Sequence, residues 1–352
     1  MKISRDFILP SAAFTIKRSQ IKYYTFIDKQ PQIGDVAYGI VQQIGQHSSL
    51  ENASGRIHMI HDGTKAVFVF GNRYAPDFYE GLVPQKLTDE IDLIARSGII
   101  GNVKTKNSLI KDPTKVKILG YICDQADNVL NTRNFPLIKP RTTIKKVPRA
   151  KMILVCGTSM NSGKSMAAAA CCCALTSMGY NVRASKVTGT ASLKDILHMN
   201  DAGATRYADF TYLGYPSTYL LGKDDLLSIF NQLDLKYANN PKNFWIVEFA
   251  DGIIQQETAI LLNSPEVRTR INKLIFCAND AFGAIGGLNI LKSFKLEPDA
   301  LSGICSSSPL HIRELTSFTN VPVFNSAEPQ ISNLANILLE PSKHHKLRKV
   351  AI

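Results

Sequence analysis

Apolar and polar positions change rhythm partway along the chain. Up to about residue 135 the apolar residues come in short alternating runs at 21–27, 35–44, 55–60, 65–70 and 116–123, separated by Gly, Asn and Asp. Period-two alternation puts successive side chains on opposite faces of a strand, so these runs predict a smaller β-rich, barrel-like domain over residues 1–135. Residues 88–96 read as a short helix and 124–128 as a turn. Beyond residue 150, strand-like runs at 152–156, 179–187, 244–249, 273–278, 300–305 and 321–324 alternate with helical patterns at 163–178, 193–202, 283–294, 309–318 and 330–339. Such alternation predicts an α/β domain over 151–340, its mainly parallel sheet flanked by helices and its ligand at the carboxyl ends of the strands. Residues 136–150 hold three prolines and five cations without helical period and read as a linker. Residues 341–352 read as a basic tail, in which His344 and His345 are a minor metal-site candidate.

Composition narrows the picture. The 352 residues are enough for two domains. No apolar run approaches the roughly 18 residues of a membrane span, so no membrane partner is expected. Asp6 and the lack of an apolar core in the first residues argue against a secretory leader, and a cytoplasmic location is expected. Seven cysteines without a Cys-x-x-Cys pair read as small buried residues of a reducing compartment. Cys171, Cys172 and Cys173 are consecutive in a helical stretch and point in different directions, which excludes a shared metal site. The net charge of +12 is uneven: residues 1–150 carry 22 Lys and Arg against 13 Asp and Glu, or +9, and the rest 19 against 16, or +3. A basic front half suits an anionic partner, nucleic acid included, although no aromatic-plus-basic RNA-binding signature accompanies it.

The chemistry concentrates in Met152-Ile-Leu-Val-Cys-Gly-Thr-Ser-Met-Asn-Ser-Gly-Lys-Ser165. A buried strand runs into a Gly-containing turn, and Gly-Lys-Ser opens a helix of small residues. This is the layout of a phosphate-binding P-loop. Backbone N–H groups of the turn and helix start face the phosphates, Lys164 adds a cation, and Ser165 offers a hydroxyl to Mg²⁺. The expected binding stretch is Gly157, Thr158, Ser159, Met160, Asn161, Ser162, Gly163, Lys164, Ser165 and Met166. The spacing departs from Gly-x-x-x-x-Gly-Lys-Ser: the first glycine is Gly157, and position 158 is Thr158.

The rear half resembles the dethiobiotin synthetase-like branch of P-loop proteins, within the wider group that includes cobyric-acid synthases and MinD/ParA-type ATPases. Gly157-Thr-Ser-Met-Asn-Ser-Gly-Lys-Ser165 is similar to that branch's Gly-Thr-Asp-x-x-x-Gly-Lys-Thr, shifted glycine included. Ala184-Ser-Lys-Val-Thr-Gly189 resembles its Tyr-Lys-Pro-Val-x-x-Gly, Asn200-Asp-Ala202 its Asp-Ala, and Val247-Glu-Phe-Ala-Asp-Gly252 its Val-Glu-Gly-Ala-Gly-Gly. Asn279-Asp-Ala-Phe-Gly-Ala-Ile-Gly-Gly287 stands where the branch has Leu-Gly-x-Ile-Asn-His. The front module with Gly71-Asn-Arg-Tyr-Ala-Pro-Asp77, joined to this P-loop, also looks related to the DUF1611 group. In the front half, Gly34-Asp-x-x-x-Gly-x-Val41 is reminiscent of S1/OB-type barrels.

The resemblance implies ATP and Mg²⁺ as cofactors, with Ser165, Asp201 and Glu248 as metal ligands and Lys164 and Lys186 as catalytic cations. It implies a ligase or synthetase acting on a small carboxylate-bearing molecule. The carboxylate would take the γ-phosphoryl group as an acyl phosphate, and an amine would then displace phosphate. A small-molecule kinase is the nearest alternative. Relatives of this branch dimerise across the nucleotide, which implies a homodimer and a further alternative, a nucleotide-driven switch whose front domain binds a partner. Three departures stand out. The branch's acid after Gly-Thr is Ser159, its Pro after the second-strand Lys is Val187, and its adenine-reading Asn lies near Ser306 or Ser307 here. Residues 212–221 have no counterpart in the branch.

Overall fold

The computed structural model describes residues 1–3, 6–141 and 148–341. Most of the tail expected at 341–352, His344 and His345 included, and the centre of the expected linker lie outside them. The chain divides into two compact units. The first comprises Met1–Pro140 with two later segments, Gly189–Lys194 and Phe210–Leu220. The second comprises Arg141–Thr188, Asp195–Asp209 and Leu221–Ile352.

The first unit holds β1 (Tyr23–Thr25), β2 (Val36–Gln43), β3 (Ser49–Glu51), β4 (Ile57–Met59), β5 (Lys65–Phe70), β6 (Arg73–Tyr74), β7 (Tyr79–Leu82), β8 (Glu90–Ala95), β9 (Ile99–Lys106) and β10 (Thr114–Cys123). Eight of them form one sheet in the order β1-β10-β2-β5-β9-β7-β6, with β8 pairing both β10 and β9, while β3 and β4 pair with each other. All pairs are antiparallel except β5 with β9. The pairings β10–β2–β5–β9–β8–β10 therefore return to their starting strand. Residues 88–96, expected as a helix, contain β8: Glu90-Ile-Asp-Leu-Ile-Ala95 pairs Leu93 with Thr114 and with Ile100, and tertiary pairing overrides the local helical preference. Period two is realised in β5, where Ala66, Phe68 and Phe70 enter one core cluster and Val67 and Val69 the other.

The later segments are built into this unit. Ala191 joins the cluster around Val36, Ile99 and Ile122. The hydroxyl of Thr132 donates to the Gly214 carbonyl at 2.7 Å, and the Arg133 guanidinium lies 3.6 Å from the centre of the Tyr215 ring. Buried Glu51 accepts the backbone N–H groups of Leu193 at 2.9 Å and Lys194 at 3.0 Å. These are two of the four donors that a helix start leaves without an intrahelical partner.

The second unit alternates β11 (Lys151–Gly157), α1 (Lys164–Ser177), β12 (Val182–Lys186), α2 (Leu193–Asp201), β13 (Arg206–Asp209), α3 (Lys223–Tyr237), β14 (Phe244–Glu248), α4 (Gln256–Asn263), α5 (Pro265–Arg268), β15 (Ile271–Cys277), α6 (Ala281–Ser293), β16 (Ala300–Ser302), α7 (Pro309–Phe318) and α8 (Ile331–Leu339), with α2 beginning among the residues of the first unit. Its six-stranded sheet is parallel throughout, in the order β13-β12-β14-β11-β15-β16. The inner strands are buried along nearly their whole length, which is why they read as continuous apolar runs. In α1 the buried positions are mainly Ala and Cys, whose small side chains let the helix lie close to the sheet. The strand expected at 321–324 is a single parallel bridge, Leu301 with Val323.

Candidate functional site

β11 delivers the loop. Its last residue, Gly157, is packed so closely that a Cβ would stand 2.5 Å from Ser162 Oγ and 2.7 Å from the Cys277 carbonyl oxygen. This explains why glycine falls here and not at position 158: Thr158 follows and its N–H donates to Cys277 at 2.9 Å. The turn then needs left-handed backbone at Asn161 (φ 60°) and Gly163 (φ 88°), and Gly163 caps α1. Thr158, Ser159 and Met160 are half-buried, Asn161 is exposed, Ser162 is buried, and Met166 is 42% exposed on the first turn of α1. Ile253 N–H donates to the Gly157 carbonyl at 2.9 Å, so the loop after β14 is tied to the loop after β11.

Lys164 is 6% exposed, and its amine donates to the Ser159 carbonyl at 2.5 Å and reaches Ser162 Oγ at 3.4 Å. Burial lowers its pKa, against the opposing pull of Glu248 and Asp251. A cation held in this way, with little water around it, is poised for an anion entering the loop.

Lys186 and Glu248 are the last residues of adjacent parallel strands and pair in register. Both are buried, at 6% and 1% exposure. Glu248 Oε1 accepts the Ser165 hydroxyl at 3.2 Å and lies 3.9 Å from Lys186 Nζ, whereas Oε2 is buried with no hydrogen-bond partner. Lys186 makes its close ion pair elsewhere, with Asp195 in the first turn of α2. Burial raises the Glu248 pKa, with Lys186 and Lys164 pulling the other way. For Lys186, burial works downward, but the Asp195 and Glu248 carboxylates prevail and the net shift is upward.

Of the residues singled out from sequence, Lys164, Ser165, Lys186 and Glu248 come together. Asp201 does not join their contacts: it is the exposed last residue of α2, about 9 Å along the axis from Asp195 at 1.5 Å per residue. Asp195 itself was missed. Its signal is Ser192-Leu-Lys-Asp195, the Ser-x-x-acid spacing of a helix start. The cysteines are free; six of the seven are buried, and burial pushes Cys156 and Cys171 up to about 12, which makes them unreactive thiols.

The residues present fit a nucleotide phosphate and its divalent cation. Ser165 Oγ and the buried, unpartnered Glu248 Oε2 are hard oxygen donors beside the helix start. Among the described residues no group of three or more His, Cys, Asp or Glu is placed to hold a metal ion.

No family model and no curated protein matches the sequence. Among solved structures the chain is similar to a ParA family ATPase from Chlorobium tepidum TLS, at 14% identity and a TM-score of 0.34 over 58% of this chain and 93% of that one. It is also similar to the signal recognition particle receptor FtsY from Elizabethkingia anophelis in complex with GDP, at 10% identity and a TM-score of 0.36 over 58% of this chain and 68% of that one. Among the described residues no helix is long and apolar enough to cross a membrane.

Proposed function

We propose that the protein is a Mg²⁺-dependent P-loop enzyme that uses ATP, acting as a ligase or synthetase on a small carboxylate. The observation that carries this reading is the convergence of Lys164, Ser165, Lys186 and Glu248 at the carboxyl ends of three neighbouring strands, β11, β12 and β14. Backbone N–H groups at the start of α1 and the Lys164 amine would bind the phosphates. Ser165 and Glu248 would hold the cation, which supplies charge neutralisation to phosphoryl transfer. Lys186 would orient the acceptor carboxylate. Positioning and charge neutralisation account for most of the catalysis such a reaction requires. The cyclic strand pairing of the first unit supports the barrel-like reading of that module.

The test is calorimetric titration of ATP and of GTP, each with Mg²⁺, into wild type and Lys164→Ala. Binding of one nucleotide that is lost in the variant supports the site and names the base. A screen of small carboxylates with amines, read by phosphate release, then separates ligase from kinase. Binding of neither nucleotide overturns the reading.

A second reading, a nucleotide-driven switch that pairs with a second copy, is favoured by one observation. Ile254, Phe282 and Ile304, which follow β14, β15 and β16, are 71%, 87% and 52% exposed. Three large apolar side chains at the carboxyl end of one sheet are costly to leave in water. Hydrolysis that rises with protein concentration and needs no small-molecule substrate would support the switch over the ligase.

A further inference from the structure

Lys186 stands between two carboxylates and pairs unequally with them. It forms a direct ion pair with Asp195, while Glu248 Oε1 stays at 3.9 Å. The amine and both carboxylates belong to the second unit. Asp195 is a quarter exposed, whereas Glu248 is buried and keeps Oε2 without a partner. A buried ammonium 3.9 Å from a buried carboxylate would ordinarily close that gap, because a direct hydrogen-bonded ion pair is stronger than one at longer range and satisfies both groups. What holds Lys186 back is Asp195, which enters from the first turn of α2, where a negative charge is itself favoured by the helix dipole.

We propose that Asp195 is a positioning residue that keeps Lys186 off Glu248 and so leaves the Glu248 carboxylate available to a divalent cation. The proposal rests on the reading of Glu248 as a metal ligand and adds a residue outside the coordination shell. Without Asp195, Glu248 at 3.9 Å remains beside Lys186, with Asp251 a further carboxylate acting on it. Lys186 turns to Glu248 and forms a closed pair there, and a cation must then displace an ammonium to reach the same oxygens. The Lys164 amine is engaged with the Ser159 carbonyl, so the ammonium that closes on Glu248 is that of Lys186.

The test is a titration with Mn²⁺, followed by the loss of the free-ion EPR signal, in the presence of a non-hydrolysable ATP analogue. It is run on the full chain as wild type, Asp195→Asn, Lys186→Met, the double variant Asp195→Asn/Lys186→Met, and Glu248→Gln. The expected results are an approximately 10–100-fold loss of Mn²⁺ affinity in Asp195→Asn, the usual size of an outer-shell effect, and its recovery in the double variant, where no ammonium remains to close on Glu248. Lys186→Met alone keeps Mn²⁺ affinity at or above wild type. A merely structural role for Asp195 predicts no recovery in the double variant. The proposal is overturned if Glu248→Gln loses Mn²⁺ affinity while Asp195→Asn keeps it, or if Lys186→Met fails to restore it. Should Asp195→Asn not fold, a loss of affinity in Lys186→Met overturns the proposal by itself. If Glu248→Gln binds Mn²⁺ like wild type, the metal-ligand reading fails and takes the proposal with it.

Discussion

Ser165 and Glu248 lie 83 positions apart in sequence, and the Ser165 hydroxyl donates to Glu248 Oε1 at 3.2 Å. One lies in the first turn of α1 and the other ends β14, two places along the sheet from β13. The contact joins a hydroxyl at the helix start to a buried carboxylate with one oxygen still unpartnered, and several expectations depend on it.

Glu248→Gln should separate stability from chemistry. Burial raises the Glu248 pKa, so its charge costs stability at neutral pH, and that cost fades as pH falls through the folded-state value. The isosteric amide should leave the melting temperature unchanged or raised at pH 7, while the Mg²⁺ dependence of nucleotide binding is lost. Thermal melts at pH 7 and nucleotide titrations with and without Mg²⁺ check both halves. A large drop in melting temperature would contradict this account.

Gly157→Ala should damage the loop without removing a polar group. The added methyl meets Ser162 Oγ at 2.5 Å and backbone oxygen of Cys277 at 2.7 Å, and backbone cannot move aside cheaply. A loss on the order of 1–3 kcal/mol is expected, together with at least a tenfold weaker nucleotide affinity because Ser162 and Thr158 shift. Chemical denaturation and calorimetry measure the two effects; wild-type affinity in a folded variant would count against the packing argument.

Lys273 and Asp299 form a buried pair at 3.2 Å, and Asp299 also accepts the Leu274 N–H at 2.9 Å, joining β15 to the approach of β16. Lys273→Met strands a buried carboxylate, and the expected loss is about 3–5 kcal/mol. Adding Asp299→Asn should recover part of it. A double variant no more stable than Lys273→Met would show that the charge was never the cost.

His47 gives the first unit an acid-sensitive point. Burial, with Arg73 adding to it, holds the imidazole pKa down to about 3. His47 Nε2 lies 2.9 Å from Arg73 Nη1 and 3.2 Å from the Ile94 carbonyl oxygen, whose upward pull on the pKa is outweighed. The unfolded chain takes up a proton near pH 6.5 and the folded chain does not. The contribution is therefore complete above pH 6.5 and is lost as pH falls toward 3, by roughly 1.4 kcal/mol per pH unit. Denaturant midpoints between pH 7 and pH 4 should fall more steeply for wild type than for His47→Gln. Parallel slopes would mean that another group sets the acid limb.

The alternation of strand and helix after residue 150 was legible where the parallel strands are buried on both faces, as in β11, β14 and β15, and where the gaps carry a helical period. The strand, turn and helix around the candidate phosphate loop were legible, since Gly157-Thr-Ser-Met-Asn-Ser-Gly-Lys-Ser165 is contiguous. Lys186 and Glu248 could be singled out one by one at strand ends, but their meeting in register depends on β14 lying between β12 and β11, an order the linear sequence does not carry. Asp195 was hidden for the same reason: an acid in the first turn of a helix is common, and only the fold shows that Lys186 answers it. Helices α3, α4 and α5 and strands β3, β6, β7, β9 and β13 went unread. In β9, Ile99-Ile-Gly-Asn-Val-Lys-Thr-Lys106 turns from apolar to polar midway and breaks the alternation. In the front unit, Gly71-Asn-Arg-Tyr-Ala-Pro-Asp77 entered only as part of a resemblance, and the structure gives part of it packing duties: Asn72 Oδ1 accepts the Val83 N–H at 2.9 Å, and buried Arg73 holds the Ile94 carbonyl and contacts His47.

Ala191, Gly214 and Tyr215 are encoded well downstream of the proline-rich stretch, yet they complete the unit that begins at Met1. A gene cut at that stretch would yield a front fragment with a vacancy in its core, a Thr132 hydroxyl without its carbonyl and a bare face on Arg133. The rear fragment would carry two orphaned loops. For anyone wishing to express the halves apart, or to trade one half between relatives, the exchangeable piece is therefore not a contiguous stretch of DNA.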